Sequence, residues 1–245
     1  MNLKYLFGLA TLGIVAVACN DINDNIPVNI STDILSVQSE GNQFATRFDG
    51  LANKWQKGDA IGVFMLNNDN SQILNDAANI QYITDQNAES VSFKSSVGIP
   101  IASENVNFYA YYPYGDHLTT NFDFTVLSDQ SKDNGYEQSD LLVAKNEKAL
   151  PGEGAVSLQF GHVMARIEVK PVLPDGVTLT SVALLNVLTG SSVDLINQTT
   201  TTKTDASAPL STITLMKAGD VYRGVLPEQT LTGRIFEFVG VNAAG

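Results

Sequence analysis

The chain has 245 residues, a net charge of −12, one cysteine and two histidines. A chain of this length can bury one large or two ordinary hydrophobic cores, and a single cysteine provides no intramolecular disulfide. The acidic balance argues against binding to nucleic acid or to anionic membrane surfaces, because both interactions require basic patches. The composition therefore predicts a fold stabilised by apolar burial, without nucleic-acid partners.

Residues 1–18 have the pattern of an export signal. Lys4 supplies a positive charge, and Leu6 to Val17 form an apolar stretch too short to cross a bilayer as a helix. The sequence Val15-Ala16-Val17-Ala18-Cys19 resembles a bacterial lipobox, in which the cysteine becomes the first mature residue and carries lipid. We expect removal of residues 1–18 and lipidation of Cys19. An ordinary secretory signal with a coincidental cysteine is the alternative, and either signal exports the protein.

Residues 19–29 are predicted to form a tether, because short polar side chains and a proline occur there without periodicity. Asp21 matches the opening of a calcium-binding loop. Ile26 and Thr32 then stand where such a loop needs glycine and glutamate. We therefore predict no metal site in this segment or elsewhere in the chain, and no cofactor.

From residue 30 onward, apolar and polar residues alternate as they do in half-buried antiparallel strands. The clearest alternating stretches are 91–97, 106–112 and 165–170. The apolar faces expected for them consist of Val91, Phe93 and Val97; of Val106, Phe108, Ala110 and Tyr112; and of Ala165, Ile167 and Val169. Two further stretches, 60–66 and 235–241, are apolar on both faces and are predicted to be central strands.

Many short strands separated by turn residues predict an all-β fold of two antiparallel β-sandwiches in series. We expect an N-terminal sandwich over residues 30–160 and a C-terminal sandwich over residues 161–245, bridged by the strand-like stretch 156–170. Helix is expected only as a short segment around residues 71–78. The threonine-rich stretch 197–209 is predicted to be a solvated loop.

Few residues suggest catalysis. His117 follows a turn and is predicted to be exposed, whereas His162 lies in a predicted strand and is interpreted as structural. No catalytic histidine, serine or phosphate-binding motif is present, and no pair of carboxylates is singled out. An aromatic cluster offers either a sugar-stacking platform or, as we favour, a core-packing strand. Its members are Phe108, Tyr109, Tyr111, Tyr112 and Tyr114.

Short motifs in a fixed order are more informative than any single residue. They include W-x-x-G-D-x-I-G-V-F from Trp55 and F-x-H-x-M-A-R-I-x-V from Phe160. Between and after them come NFYAYYPY, SDLLVAK and YRGVLPEQTLTGRIFEFVGV. This series resembles the fimbrillin (Mfa-like) family of surface lipoproteins from Bacteroides-group bacteria, over nearly the whole mature chain. The resemblance implies two transthyretin-like β-sandwich domains, a lipidated N-terminus, an outer-membrane or fimbrial location and no enzymatic activity.

In this family a protease cuts after an arginine and removes the first strand, so that a neighbouring subunit supplies the strand that replaces it. Carried over to this sequence, the resemblance places the cut after Arg47, the only arginine before Arg166. Strand-like residues 28–37 precede Arg47, and the flexible-looking residues 39–42 follow them. The implied partners are other fimbrial subunits, the outer membrane through the lipid, and host or bacterial surface ligands.

The sequence departs from the family pattern at its C-terminus. Six strand candidates follow Met164, and the resemblance implies at least one more, so the last strand is expected to lack a partner. A truncated second domain, or a subunit that is not a stalk polymer unit, explains this departure. The alternative function is a monomeric glycan-binding lipoprotein of the cell surface. A surface enzyme is the third possibility and is disfavoured.

Overall fold

The structure is a computed structural model that describes residues 54–99, 104–132, 134–149, 156–204 and 208–242, together with the backbone of two short strands nearer the N-terminus. The chain is all-β, as predicted, and the single helix in these ranges is α1, Gly135–Ser139. The strands are β1 Ile14–Val17, β2 Asn29–Ile30, β3 Ala60–Asn67, β4 Ile80–Thr84, β5 Phe93–Lys94, β6 Val106–Tyr112, β7 Asn121–Thr125, β8 Leu142–Ala149, β9 Val156–Ser157, β10 Gln159–His162, β11 Ala165–Val169, β12 Val177–Val187, β13 Gly190–Asp194, β14 Thr199–Thr202, β15 Ser211–Thr214, β16 Met216–Ala218, β17 Val221–Leu226 and β18 Phe236–Asn242.

The strands form several antiparallel sheets. The largest has six strands in the order β10-β8-β6-β3-β4-β5. A second sheet has the order β1-β11-β17-β16, two three-stranded sheets have the orders β15-β12-β18 and β14-β13-β7, and β2 pairs with β9. Because β10 and β11 belong to different sheets and are separated by only two residues, the chain passes directly from one sheet to the next at this point.

The six-stranded sheet is covered on both faces. Along β6, the face predicted to be apolar packs into one hydrophobic cluster, while Tyr109 and Tyr111 pack into a second. All seven residues of β6 are buried, so the expectation that this strand is half-buried was wrong. The alternation of residue types along β6 correctly identified which side chains share a face. The second face is also buried because it packs against residues from the C-terminal half of the chain, such as Ile167 and Val182.

Trp55 is the centre of the first cluster. Its side chain has no exposed surface, and its ring makes edge-on contacts with Phe93, Tyr112 and Phe160 at centroid distances of 5.0, 5.3 and 5.3 Å. Edge-to-face pairs at this spacing add stabilisation beyond simple burial. Phe160 belongs to β10, so this contact attaches the outermost strand of the sheet to its core.

The expectation of a short helix over residues 71–78 was wrong. Asn70, Asn75, Asp76 and Asn79 all have positive φ values, between 51° and 61°, which interrupt any helical run. The stretch 91–97 also forms less strand than expected. Only β5 is extended there, and Val97, placed on the apolar face by the sequence pattern, is 80% exposed just before a turn at Gly98.

The C-terminal half corrects three further expectations. Stretch 235–241 was expected to be central, but β18 lies at the edge of its sheet and is only partly buried. Its pairing with β12 gives the last strand a partner, and eight strands rather than six follow Met164. The threonine-rich loop is partly a strand, β14, in which the Thr200 hydroxyl donates to the Val163 carbonyl at 3.1 Å.

Contacts between the two halves of the chain are extensive. β7 pairs with β13, so residues 121–125 share a sheet with residues 190–194. The second hydrophobic cluster likewise combines Phe64 and Tyr109 with Val182 and Leu184. The division into domains at residues 160 and 161 stays a prediction. The described residues on the two sides of this boundary pack against each other through apolar side chains.

Candidate assembly interface

Residues 156–169 form three consecutive strands, β9 to β11, each of which belongs to a different sheet. β10 is the outermost strand of the six-stranded sheet, where it pairs with β8. β11 pairs with β17 in the four-stranded sheet, and β9 precedes β10 by one residue. This range contains the F-x-H-x-M-A-R-I-x-V motif that begins at Phe160. We refer to residues 156–169 as the shared edge.

Two segments from the N-terminal part of the chain pair with the shared edge. β1 lies antiparallel to β11 with Val17 opposite Arg166, and β2 lies antiparallel to β9 with Asn29 opposite Ser157. β1 pairs with residues 166–169, and β2, which follows it in the chain, pairs with the earlier residues 156–157. Both segments therefore follow the shared edge in the same direction, and both precede Arg47.

The shared edge is backed by apolar side chains. Leu158 and Phe160 are fully buried in the first cluster, and Ile167 and Val169 are buried in the second. A strand edge presents a row of backbone N–H and C=O groups, which pair readily with another extended segment. When such an edge borders an apolar core, the added strand gains both hydrogen bonds and buried area. The arrangement is thus suited to accepting a strand.

The two charged residues of β11, Arg166 and Glu168, both have hydrogen-bond partners within the molecule. The Arg223 Nε donates to the Glu168 Oε2 at 2.7 Å. Arg166 forms a hydrogen bond with the hydroxyl of Tyr136, where it opposes the rise in the pKa that burial imposes on that phenol. Both charged side chains of β11 therefore have polar partners within the molecule.

His162 lies at the end of β10 and bonds to a buried acid. Its Nδ1 is 2.8 Å from the Oδ1 of Asp140, which follows α1, and the Asp140 side chain is 6% exposed. The sequence indicated no acid near His162, because Asp140 lies 22 residues earlier. The contact fits the predicted structural role: it attaches the shared edge to the segment between α1 and β8.

We expect His162→Gln to lower the free energy of unfolding by about 1–3 kcal/mol, since a hydrogen bond to a buried carboxylate is lost. Urea unfolding followed by tryptophan fluorescence measures the change. In a double-mutant cycle with Asp140→Asn, the second substitution should cost little once His162 is absent. Full additivity of the two effects would show that the contact contributes nothing to stability.

His117 is not exposed as predicted. Its ring is half-buried and stacks on Phe122 at a centroid distance of 4.0 Å, with Tyr111 at 5.3 Å. This burial lowers the pKa of His117, although the carboxylates of Asp116 and Asp123 oppose the shift. A stacked, half-buried imidazole is explained by packing, so His117 joins His162 as a structural histidine.

The aromatic cluster is part of the core, as favoured from the sequence. Phe108, Tyr109, Tyr111 and Tyr112 are at most 4% exposed, so they offer no open ring face to a sugar. The Tyr111 hydroxyl lies 2.8 Å from Asn79 Oδ1 and 2.7 Å from the Gly115 carbonyl. Burial is the main reason that the pKa of Tyr111 rises to about 12. The hydroxyl is therefore neutral and serves to position the loop that follows β6.

A shallow cleft that the sequence did not predict lies on the β14-β13-β7 sheet. Its volume is about 380 Å³, and it is lined by Asn121, Phe122, Asp123, Ser192, Val193, Asp194, Thr199 and Thr201. These residues come from the neighbouring strands β13 and β14 and from β7, which lies far earlier in the sequence, so no local motif reveals the cleft. Lys203 pairs with Asp123 beside it and lowers the pKa of that carboxyl.

The two residues predicted for processing, Cys19 and Arg47, lie outside the described residues, so lipidation and cleavage stay predictions. In the described ranges, no helix has the length and apolar character needed to cross a membrane. Nor does that part of the chain bring together three His, Cys, Asp or Glu side chains in a way that would hold a metal ion.

Comparison with solved structures supports the fold. A crystal structure described as a cell adhesion protein from Bacteroides uniformis matches with a TM-score of 0.57 at 22% identity, covering 89% of this chain and 80% of that one. A protein of the same description from Bacteroides ovatus matches with a TM-score of 0.58 at 20% identity, covering 76% and 80% of the two chains.

Sequence comparison finds fimbrial relatives. The chain is 29% identical over 187 residues to Fim1C of Bacteroides uniformis, named as a fimbrium subunit; the match covers 74% of this chain and 58% of that protein. A Bacteroides ovatus Fim1C, named as a fimbrium tip subunit, is 28% identical over 178 residues, covering 62% of this chain and 32% of that one. The match thus spans 58% of the length of the first relative and 32% of the length of the second.

The model of one protein family, described as fimbrillin-like, matches residues 46–241. This range contains every motif on which the resemblance was based, from the tryptophan motif to β18. Because the match covers most of the chain, the resemblance inferred from the sequence is confirmed: the protein belongs to the fimbrillin-like family.

Proposed function

We propose that the protein is a non-enzymatic subunit of a cell-surface fimbria, or an adhesin, that assembles with other subunits by β-strand exchange. The observation that carries this proposal is the shared edge, which borders both hydrophobic clusters and pairs with segments from the N-terminal part of the chain. An edge of this kind is a site for β-augmentation. Relatives named as fimbrium subunits support the same role.

Lipidation of Cys19 would hold the subunit at the outer membrane on the cell surface. The support is the order of Lys4, the apolar stretch and Ala18-Cys19 in the sequence. A lipid anchor at the mature N-terminus would also keep the neighbouring shared edge close to the membrane until the anchor is removed or the subunit is assembled.

We expect Cys19→Ala to release the protein from the membrane fraction, because the lipid attachment site is lost. Fractionation of cells followed by immunoblotting measures the distribution. Ser39→Ala is the control, since it makes a change of similar size between Cys19 and Arg47 without touching the lipobox, and it should stay membrane-bound. Retention of the Cys19→Ala protein in the membrane would contradict lipidation.

Cleavage after Arg47 would release β2 from the shared edge. β2 pairs with β9 and precedes Arg47, so the cut would separate it covalently from the rest of the fold. The vacated edge would then accept a strand from a neighbouring subunit. Arg166, Arg223 and Arg234 lie in or beside strands of the folded protein, where a protease has poorer access to an extended backbone.

The test is N-terminal sequencing of the protein sheared from the cell surface, with electron microscopy of the same material. A sequence starting at Phe48, together with fibres, supports strand exchange after cleavage. Fibres that disappear in the Arg47→Ala variant would link the two steps. A surface protein that still starts at lipidated Cys19 and forms no fibres would overturn this part of the proposal.

The glycan-binding alternative loses the feature that suggested it, because four of the five aromatic residues are buried. Phe122 is the single aromatic residue that lines the open polar cleft on the β14-β13-β7 sheet, and its ring is stacked on His117. Catalysis likewise gains no support from the described residues, whose histidines are both engaged in packing or hydrogen bonding.

A further inference from the structure

We infer that the cleft on the β14-β13-β7 sheet is a binding site for a neutral saccharide. Such a site would decide what a subunit binds, whereas the proposed function concerns how subunits join. Recognition there would depend on hydrogen bonds and not on an aromatic platform. Three paired strands place polar side chains on one face of this sheet, and much of the hydrogen-bonding capacity of these side chains is left for a ligand.

Two rows of polar side chains form the walls of the cleft. The first row consists of Asn121, Asp194 and Thr199, and the second consists of Asp123, Ser192 and Thr201. Within each row the three residues lie directly opposite one another on β7, β13 and β14. Residues two positions apart on a strand point to the same face, so both rows project from one face of the sheet, about 7 Å apart.

The residues between the two rows leave the space between the walls open. Phe122, Val193 and Thr200 lie there and direct their side chains to the other face of the sheet. On that face Val193 is buried in the second cluster, and Phe122 is stacked on His117. The cleft of about 380 Å³ falls within the range of about 300–1,000 Å³ that is usual for ligand pockets.

The two carboxylates of the cleft are held in place without being saturated. Asp123 accepts from the Ser192 hydroxyl at 3.2 Å and pairs with the Lys203 Nζ at 2.5 Å. Asp194 accepts from the backbone N–H and the side-chain amide of Asn197 at 3.0 and 2.8 Å. An ionised carboxylate offers about four acceptor positions, so each of the two can still accept from a ligand hydroxyl.

Three other polar groups of the cleft have no hydrogen-bond partner among the residues that the structure describes. They are the exposed side-chain amide of Asn121 and the exposed hydroxyls of Thr199 and Thr201. On the other face of β14, the hydroxyls of Thr200 and Thr202 both donate to backbone carbonyls. The strand thus uses one set of threonine hydroxyls to attach itself to the fold and presents the other set to the cleft.

This set of groups favours a neutral, polyhydroxylated ligand. Together, the carboxylates of Asp123 and Asp194 and the ammonium of Lys203 carry a net negative charge, which disfavours anions. An apolar ligand would displace water from these groups and leave them unpaired. Sugar hydroxyls both donate and accept, so they can donate to the carboxylates while accepting from the amide of Asn121 and the threonine hydroxyls.

The cleft faces away from the shared edge. Thr200, whose side chain points to the opposite side of the sheet, donates to the carbonyl of Val163 within the shared edge. A strand paired with the shared edge would therefore leave the cleft open. In a fibre, repeated copies of the cleft would bind a surface glycan with avidity well above the affinity of one site. This gain in avidity rests on the proposed function, whereas binding to a single subunit does not.

The experiment uses the full chain, expressed in bacterial cells and purified in detergent. Biolayer interferometry measures its binding to saccharides displayed on biotinylated polyacrylamide. The probes are glucose, galactose and mannose, each paired with the corresponding uronic acid, which has a carboxylate in place of the C6 hydroxymethyl group. Each pair therefore isolates the effect of a negative charge on the ligand.

The first test variant is the double substitution Thr199→Val and Thr201→Val. Valine has nearly the shape of threonine and favours strands, so the two hydroxyls are lost while the fold is kept. Asn121→Ala is a second test variant on a different strand. The matched control is the double substitution Thr178→Val and Thr212→Val, which removes two exposed hydroxyls from the β15-β12-β18 sheet. Circular dichroism checks that every variant is folded.

We expect at least one neutral sugar to bind saturably and its uronic acid to bind at least about tenfold more weakly. The double variant in the cleft should lose at least about tenfold in affinity, and the control should stay within about twofold. No binding to any of the three neutral sugars, equal or tighter binding of the uronic acids, or unchanged binding in both folded test variants would each overturn the inference. Fibres without sugar binding would refute this inference alone, and sugar binding without fibres would refute only the proposed assembly.

Discussion

Replacing Gln130 with methionine should lower the free energy of unfolding by about 2–4 kcal/mol. The Gln130 side chain is fully buried and bonds to both backbone groups of Val225. Its Nε2 donates to the Val225 carbonyl at 2.7 Å, and its Oε1 accepts from the Val225 N–H at 2.8 Å. Methionine has a similar shape but leaves both buried backbone groups without these partners.

The backbone groups of Val225 need a side-chain partner because β16 ends before it reaches them. β16 pairs with β17 only from Val221 to Arg223, so the sheet has no neighbouring strand beside Val225 on that side. Gln130 takes the place of the missing strand. Its own backbone N–H donates to the Thr214 carbonyl at 2.9 Å, which fixes the segment against β15. Since β17 supports β11, loss of Gln130 should also loosen the shared edge.

Chemical denaturation monitored by circular dichroism measures the effect of Gln130→Met. The matched control is Gln138→Met, an equivalent substitution at an exposed position of α1, which should change stability by less than about 0.5 kcal/mol. Hydrogen exchange adds a local readout, because the Val225 amide should lose protection in the Gln130 variant. An unchanged unfolding midpoint would show that the two hydrogen bonds do not contribute to stability.

Replacing Gly62 with alanine should destabilise the protein by about 3 kcal/mol, from overpacking together with disturbed buried hydrogen bonds. Gly62 lies on β3 directly opposite Tyr111 on β6. A Cβ at this position would overlap the ring of Tyr111 and the side-chain oxygen of Asn79. The ring cannot move away easily, because its hydroxyl is held by Asn79 and the Gly115 carbonyl.

Gly161→Ala is the matched control for Gly62→Ala. Gly161 also lies in a strand, β10, and a Cβ built there meets no atom within 4 Å. This variant should be as stable as the parent or slightly more so, because alanine reduces the conformational entropy of the unfolded chain. Thermal unfolding of the two variants under the same conditions makes the comparison. Equal stabilities would contradict the close packing of Tyr111 against β3.

The sequence motifs located the important strands without explaining each residue in them. The W-x-x-G-D-x-I-G-V-F motif contains Trp55 and Gly62, and the sequence alone predicted a turn followed by a central strand. That strand is β3, which is central as predicted. The reason for a glycine at position 62 lies in Tyr111, almost 50 residues further along. The motif includes the glycine, but the residues next to Gly62 in the sequence do not show that a Cβ there would overlap Tyr111.

The sequence located the strands of the candidate site but did not predict the long-range contacts within it. The F-x-H-x-M-A-R-I-x-V stretch marked the shared edge, and its alternation identified Ile167 and Val169 as buried residues of β11. The acid that pairs with His162 could not be identified. Asp140 is one of many carboxylates in the chain, and only the pairing of β8 with β10 brings it within 2.8 Å of the imidazole.

What the sequence by itself determined was the all-β class, the family, and the alternate faces of strands such as β6 and β11. These follow from a period of two, which is a local property of the chain. The tertiary structure decided which strands are central and which lie at edges. β18 resembles a central strand in composition and is an edge, whereas β6 has a half-polar pattern and is buried on both faces. Burial of a second face depends on what packs against it, and those residues lie far away in the sequence.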